Sequence, residues 1–570
     1  MYAPLHQLNL KDHLESAFNE FCSQHELLPE LLLDADASEQ ELFIIFDGLD
    51  ELSKQGAAAQ AVASQFVREV ERAVRDRNQA ELHVRVLLNG RPVSIQSNEL
   101  EFRKEGQVIH LLPFHLTEVE AEGYYDPLKL LTGEHHDQRD DWWRLYGIAT
   151  GRGYDGLPKE LQRDDLREIT REPLLNYLVA ITVERGELDF SKDVNINQIY
   201  RDLLTAVFKR DWEDSQFESI RSLKQHEFER VLEEIALATW HGDGRTTTVK
   251  AIIDHCAGSG VAKLLEAFQG GAETGAASLL AAFYFRRHGQ VQGEDTFEFT
   301  HKSFGEYLVA RRIFRAVKKV DKDLRARDED LDAGTDEVAA LEHWIAIFGA
   351  TSFDQDLLGY INNEIRLAKR DVIVPLHETL VRLLSFELRH GLPIKELSRL
   401  GSFDMAREQA NNAEVALVVL RSLCAVNAEV VSRIAWPNRT AAGELLCRIR
   451  SQRTGNYSMA TKFMSRLELE SQIIFCCDLF SGDLSFSESP NLGASYSVLS
   501  QAKLRSANFQ NASFNDASLN DADLQDAGLQ DANLRRANLR GADLRGADLE
   551  GADLEGAILE GAIGLPEGLM

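Results

Sequence analysis

The chain has 570 residues, 44% hydrophobic and 27% charged, the balance of an ordinary globular protein at a length of about four domains. Its 62 Lys and Arg stand against 92 Asp and Glu, and the formal net charge of −30 argues against a whole-molecule grip on nucleic acid or an anionic membrane. Six cysteines (22, 256, 424, 447, 476 and 477) form no CxxC pair, so neither a zinc ribbon nor a secreted disulfide framework is indicated, and reduced thiols in a cytoplasm are expected. No run approaches about 20 apolar residues, so no membrane span is expected. The N-terminus lacks a basic region followed by an apolar core and does not read as a signal peptide.

In chain order, the first element is the apolar run Leu42-Phe43-Ile44-Ile45-Phe46, which predicts a strand buried on both faces of a parallel sheet. It ends in the acidic block Asp47-Gly48-Leu49-Asp50-Glu51-Leu52. A helical pattern follows, with Ala59, Val62, Phe66, Val70 and Val74 on one face, and then a second strand, Leu82–Leu88. This is a βαβ unit, with its acidic cluster at the carboxyl end of a strand, where open α/β sheets bind ligands. The bland alternative is an acidic strand-to-loop turn, since Asp-Gly is common turn chemistry.

The block Phe43 to Leu52 resembles the Walker B motif of the NACHT family of signal-transduction NTPases. That resemblance implies that Asp47 holds Mg²⁺ through water, and that Asp50 and Glu51, chiefly Glu51, polarise the attacking water. Phosphoryl transfer needs one carboxylate for the metal and another for the nucleophile. Leu87-Leu88-Asn89-Gly90-Arg91-Pro92 is similar to the family's sensor 1, with Asn89-Gly90 departing from the usual hydroxyls; there Arg91 would touch the γ-phosphate. Residues 110–125 resemble the family's connection into its helical domain. Residues 169–181 resemble the segment whose proline contacts the base, here Pro173; the alternative is a first-turn helix proline. Residues 297–310, Phe297 to Ala310, are similar to the family's winged-helix block. By that resemblance His301 reaches the β-phosphate of ADP and holds a closed, inactive arrangement; the alternative is a helix-start histidine bonded locally.

A phosphate cradle needs GxxxxGK[ST], and the dipeptide Gly-Lys does not occur in the chain. About forty residues precede the acidic block, and they read like the segment after a P-loop helix. The resemblance therefore covers about residues 1–320 of a NACHT protein beginning downstream of its Walker A, expected to bind ATP poorly by itself and to hydrolyse it worse.

From about 325 to 490 the text is rich in Ala, Leu, Glu and Arg, with amphipathic patterns and short Gly and Asn breaks. A helical domain or short α-solenoid is expected. Ser481–Ser500 reads as a linker, Cys476-Cys477 as core, and Trp142-Trp143 as helix packing. From Gln501 to Gly561 the chain repeats every five residues: Leu or Phe stands at 504, 509 and so on to 559, with Ala two before each. These twelve units resemble the pentapeptide-repeat family, which implies a right-handed quadrilateral β-solenoid with about 20 residues per coil. Residues twenty apart then stack: Arg535 over Glu555, Arg540 over Glu560, Asp516 over Arg536 and Lys503 over Asp523, with Asp523 over Asp543 as a like-charged exception. The arginines interrupt the acid, which argues against DNA mimicry.

The expected fold class is multi-domain: a partial α/β P-loop-NTPase-like sheet, a helical domain plus winged helix, an α-helical region and a C-terminal β-solenoid. The expected divisions are 1–125 (nucleotide-binding, Walker B and sensor 1), 126–235 (helical), 236–320 (winged helix), 321–490 (α-helical) and 495–564 (solenoid). The resemblance implies a STAND-type switch that exchanges ADP for ATP with Mg²⁺, hydrolyses ATP, oligomerises on activation and binds protein partners, as a bacterial stress or anti-phage sensor. The alternative is a non-catalytic scaffold that uses the helices and solenoid as binding surfaces. A nuclease or protease effector lacks support, since neither HExxH nor GxSxG is present.

Overall fold

The computed structural model describes residues 1–5, 8, 14–24, 42–49, 57–78, 84–89, 112–116, 137–163, 166–167, 170–186, 189, 194–212, 224–242, 246–256, 285–291, 294–299, 302–393, 395, 402–449, 453–454, 457–458 and 460–565. The chain divides into two units. The first comprises Met1–Lys159 with Thr170–Pro173 and Gly289–Gly293; the second comprises Glu160–Ile169, Leu174–His288 and Glu294–Met570. Among the described residues no helix is long and apolar enough to cross a membrane.

The first unit is built on three parallel strands, β1 (Tyr2–Pro4), β2 (Leu42–Asp47) and β3 (Val84–Leu88), in the order β1-β2-β3. β2 is central, with Tyr2 opposite Ile45 on one side and Leu42 opposite Val84 on the other. Helices α1 (Leu14–Gln24) and α2 (Ala57–Arg77) share one buried cluster with the sheet: Phe18 and Phe21 from α1, Phe66 and Val70 from α2, and Ile44 and Phe46 from β2. Phe46 sits edge-on between Phe18 and Phe66, with centroids 5.6 and 5.3 Å away. The expectation of a strand buried on both faces is corrected. Both described helices pack the Ile44 and Phe46 side, and Phe43 on the other side is 50% exposed. In α3 (Arg139–Thr150) Trp143 is sealed and Trp142 stacks on Tyr146 at 5.0 Å, so the paired tryptophans pack as a helix face.

The second unit begins with helices α4 (Pro173–Arg185), α5 (Ile196–Trp212), α6 (Gln225–His241) and α7 (Val249–Cys256). A three-stranded sheet of order β4-β6-β5 follows, made of β4 (Thr246–Thr248), β5 (Phe285–Val291) and β6 (Glu294–Phe299). Then come α8 (Lys302–Glu329), α9 (Glu337–Phe348), α10 (Gln355–Arg366), α11 (Arg370–His390), α12 (Phe403–Ala428) and α13 (Ala441–Ile449). Asp336, Asp354 and Ser402 each precede a helix and accept from its third amide, so the starts of α9, α10 and α12 are written locally.

α6 and α8 are joined through buried charge. Glu233 accepts from Arg315 at 2.7 and 3.0 Å and lies 3.4 Å from Arg311. Glu234 binds Arg230, Arg312 at 3.0 Å and His255 at 3.2 Å. Burial pushes the Glu234 carboxyl up, but the His255 hydrogen bond and the Arg312 and Arg230 charges together hold it down at about 2.

The solenoid starts earlier than the repeat lettering indicates. Parallel bridges twenty residues apart run from Glu468↔Glu488 to Asp543↔Ile563, about five coils. The expected linker Ser481–Ser500 is thus one coil of the solenoid, and the expected helical region ends at Ile449 rather than 490. The five-residue beat is kept at Leu469, Ile474, Leu479 and Leu484, all buried. The Ala partner is replaced there by Leu467, Gln472, Cys477 and Gly482, which hides the repeat. In the next coil the central positions are the small Ser489 and Ala494, and Leu492 from the neighbouring inward position fills the space.

Removing Glu233 takes the carboxylate from Arg315 and one of two carboxylates from Arg311, which keeps Glu229. Glu233→Ala is expected to lower unfolding free energy by about 1–3 kcal/mol, read as a lower denaturant midpoint. The Glu234 contribution is present above the ordinary carboxylate range and is lost as pH falls toward 2, so acid unfolding of wild type should sharpen across that window and flatten in Glu234→Gln.

Candidate functional site

The first residues of the acidic block, Asp47 to Leu49, lie at the carboxyl edge of the three-stranded sheet. Asp47 is the last residue of β2, half-buried, and its carboxylate accepts from the Tyr2 hydroxyl across β1. Gly48 follows at φ 92°, a backbone conformation that a side chain resists, and turns the chain sharply after the carboxylate. Asn89, the residue after β3, holds this turn in three ways. Its side-chain carbonyl accepts from Gly48 N at 2.9 Å, its backbone carbonyl accepts from Leu49 N at 2.9 Å, and its own N–H donates to Phe46 O at 2.9 Å. The ends of β2 and β3 are therefore fixed against each other.

Of the sequence-derived site residues, Asp47 stands at this edge and Pro173 is the exposed first residue of α4. Asp50, Glu51, Arg91 and His301 lie outside the described residues. A carboxylate oxygen such as that of Asp47 is the ligand type Mg²⁺ takes. Two residues at this edge escaped the sequence reading. Asn89 was legible only as a departure from hydroxyl chemistry, and Tyr2 left no local signal, because β1 is defined by a pairing forty-three residues away.

The solenoid offers a different kind of surface. Its corner residues recur every five positions with φ between 52° and 58°, from Arg466 to Arg536, and glycine takes over from Gly541. That left-handed conformation suits Asn, Asp and Gly. At Gly541 a Cβ would also run into the carboxylate of Asp521 in the coil before. Three sets of backbone hydrogen bonds close each coil, exemplified by Leu504 N to Asp523 O at 2.8 Å, Lys503 N to Gly482 O at 2.8 Å and Ala502 N to Leu499 O at 3.1 Å. Inside, Phe509 and Phe514 meet edge-to-face at 5.2 Å.

Outside, the expected charge stacking is present: Arg535 to Glu555 at 2.5 Å, Arg536 to Asp516 at 2.7 Å and Arg540 to Glu560 at 3.7 Å. Lys503 and Asp523 are bridge partners, as are Asp523 and Asp543. The like-charged pair is tolerated because Arg545 and Gln525 each grip Asp543 at 2.6 Å. The Arg545 hydrogen bond leads in holding that carboxyl at about 2. The first two coils differ. Phe475, Phe480, Tyr496 and Val498 are 37–56% exposed, and Phe475 meets the Tyr496 ring at 5.4 Å. Beside Phe475 a cavity of about 510 Å³ opens, lined by Gly443, Cys447, Arg448, Ile473 and Cys477. Cys477 is buried as expected, while Cys476 is exposed at a corner, which corrects its reading as core. Exposed aromatics grouped on an otherwise polar surface mark a protein-contact candidate.

Known proteins bear on the solenoid. The family model for pentapeptide repeats (8 copies) matches residues 495–531 and 522–561. No curated protein matches the chain. Among solved structures, the chain is similar to HetL, a pentapeptide repeat protein involved in heterocyst differentiation regulation from the cyanobacterium Nostoc. The identity is 32%, over 18% of this chain and 55% of that one, with a TM-score of 0.11. Rfr23, a pentapeptide repeat protein from the cyanobacterium Cyanothece, is 30% identical over 17% of this chain and 60% of its own, with a TM-score of 0.09. A thylakoid-lumen pentapeptide repeat protein from Arabidopsis thaliana is 25% identical over 20% of this chain and 78% of its own, with a TM-score of 0.10. The chain thus spans less than two thirds of the first two. Its C-terminal segment is a pentapeptide-repeat domain, a right-handed quadrilateral β-solenoid.

The burial gradient along the solenoid makes a testable contrast. Leu529 is sealed, whereas Leu559 in the last described coil is only half-buried. Leu529→Ala is expected to cost about 2–5 kcal/mol and Leu559→Ala distinctly less, compared by thermal unfolding of the full chain.

Proposed function

We propose that the chain works as a NACHT-type nucleotide switch whose C-terminal solenoid receives a protein partner. The observation that carries this reading is the carboxyl edge of the three-stranded sheet. An acidic strand end on the central strand, a positive-φ glycine after it, and the end of the neighbouring strand clamped beside it form the geometry that a metal-assisted phosphate site needs. The order β1-β2-β3 supports it, because the motif read as Walker B lies next to the strand read as sensor 1. The helix, strand, hairpin and long helix of α6 to α8 support a winged-helix role for residues 236–320. In this reading Asp47 holds Mg²⁺, Asp50 and Glu51 orient water, Arg91 and His301 meet phosphates and Pro173 meets the base. The bound ADP or ATP supplies the difference between closed and open states.

A second reading, a non-catalytic scaffold, is favoured by the exposed aromatics on the first two coils and by the missing Gly-Lys dipeptide. The experiment that separates the two uses the full chain with Mg²⁺ and ADP or ATP. The switch predicts a nucleotide-dependent rise in Tm or change in particle size by light scattering, reduced at least tenfold in apparent affinity by Asp47→Ala and altered by His301→Ala. Identical behaviour of wild type and both folded variants would overturn the switch and leave the scaffold.

A further inference from the structure

Three helices of the second unit meet at a carboxylate pair that, among the described residues, has one cation. Glu387 on α11 and Glu414 on α12 are 6% and 4% exposed. Arg448 on α13 donates to Glu414 from Nε at 2.8 Å and from Nη2 at 2.5 Å, and its Nη2 stands 4.0 Å from Glu387 Oε1. If both acids were ionised, one guanidinium would face two carboxylates and leave a net negative charge away from water, which is costly. Glu387 Oε2 is enclosed, and among the described residues no donor reaches it.

The surrounding charges are committed elsewhere. On α9, which packs on both α11 and α12, Glu337 binds Arg382 and Glu342 binds Lys395. On α12, Arg421 is turned to the carbonyls of Phe463 and Ser465, and Arg407 pairs with Asp404. On α13, Glu444 takes the Thr440 hydroxyl, and on α11 His390 lies against Phe386. Among the described residues no second cation comes to the pair.

We propose that Glu387, protonated beside the Glu414 carboxylate, forms with it and Arg448 a pH-sensitive latch that ties α13 to the helical bundle. With the proton held, the pair carries one negative charge against one guanidinium and the three helices close. When the proton leaves to solvent, the uncompensated charge weakens the hold on α13. Burial and the Glu414 charge, opposed by Arg448, push the Glu387 carboxyl up to about 8. The folded state therefore binds one more proton than the unfolded chain between the ordinary carboxylate value and about 8. Stability from this group falls as pH rises across that window and levels off above it. α13 also borders the first solenoid coil, where Gly443 and Cys447 line the cavity beside Phe475, so loosening α13 opens that exposed aromatic corner.

The test is thermal unfolding of the full chain from pH 5 to 9. Glu387→Gln, permanently neutral, is expected to match wild type near pH 5 and to melt progressively higher than wild type as pH rises to 8. Glu414→Gln should lose the same pH-dependence. Amide exchange of α13 in wild type, corrected for intrinsic rates, should be less protected at pH 8.5 than at pH 6. A constant difference in Tm between wild type and the variants across the range, or equal α13 protection at both pH values, would overturn the latch.

Discussion

A polypeptide that turns a corner every five residues encloses a tube with room for one large side chain and one methyl per side. That constraint governs about the last hundred residues of this protein. Each corner must enter the left-handed region, each central side chain must fill the bore, and the backbone amides must find carbonyls in the adjoining coil or, as Ala502 N does, in their own. The consequence is a strict division of labour by position. Inward sites are fixed in size, as the replacement of a central Leu by Ala494 with Leu492 beside it illustrates. Outward sites are free to carry charge, and here they stack arginine on acid along the axis. Exposed pairs of this sort each contribute about 0–1 kcal/mol, so they tune register more than they hold the fold.

A coil ladder also has raw edges, and the helical bundle covers the first one. Ser432 bridges Leu467, Trp436 donates to Glu468 O at 2.9 Å, and Arg439 donates to Ser471 O at 3.1 Å while its own carbonyl accepts from Ile473 N. Behind this seam Arg421, sealed from solvent, spends its donors on Phe463 O at 2.6 Å, Ser465 O at 2.9 Å and the Ser432 hydroxyl at 3.1 Å. Burial pulls its pKa down to about 9, and no carboxylate compensates it among the described contacts. His377 completes the cluster at 2.8 Å from Ser432, with burial holding it neutral at about 4. Carbonyl dipoles thus take the place of a counterion, and the solenoid is continuous with the bundle rather than tethered by a linker.

The same logic of compensated charge recurs through the second unit. Glu233 and Glu234 sit among four arginines between α6 and α8, whereas Glu387 and Glu414 have one among the described residues. In the first cluster each carboxylate has more than one cation, and the cluster acts as a fixed joint. The second is short of one positive charge, and that shortage makes it responsive. In the first unit the carboxyl edge of the sheet is held by neutral hydrogen bonds from Asn89 and by the Tyr2 hydroxyl, leaving the Asp47 carboxylate as the only charged group described there.

The repeats, the βαβ unit and the acidic strand end were legible in the sequence, because each rests on local periodicity: five residues for the coil, 3.6 for the helix, and an unbroken apolar run for the strand. Gly and Asp at the coil corners, and Asp or Ser before α9, α10 and α12, likewise act through their own backbone. The remainder was set by partners distant in the chain. The early coils were hidden because the bore accepts Leu467 or Cys477 where the later repeat uses Ala. β1 exists because Tyr2 to Pro4 pair with residues about forty positions on, and the one-sided burial of β2 follows from α1 and α2 choosing the same face. The sequence by itself determined which segments repeat, twist and turn. Only the tertiary structure decided which charges are buried together, since a carboxylate's cost depends on how many cations the fold brings to it, and spacing along the chain does not record that number.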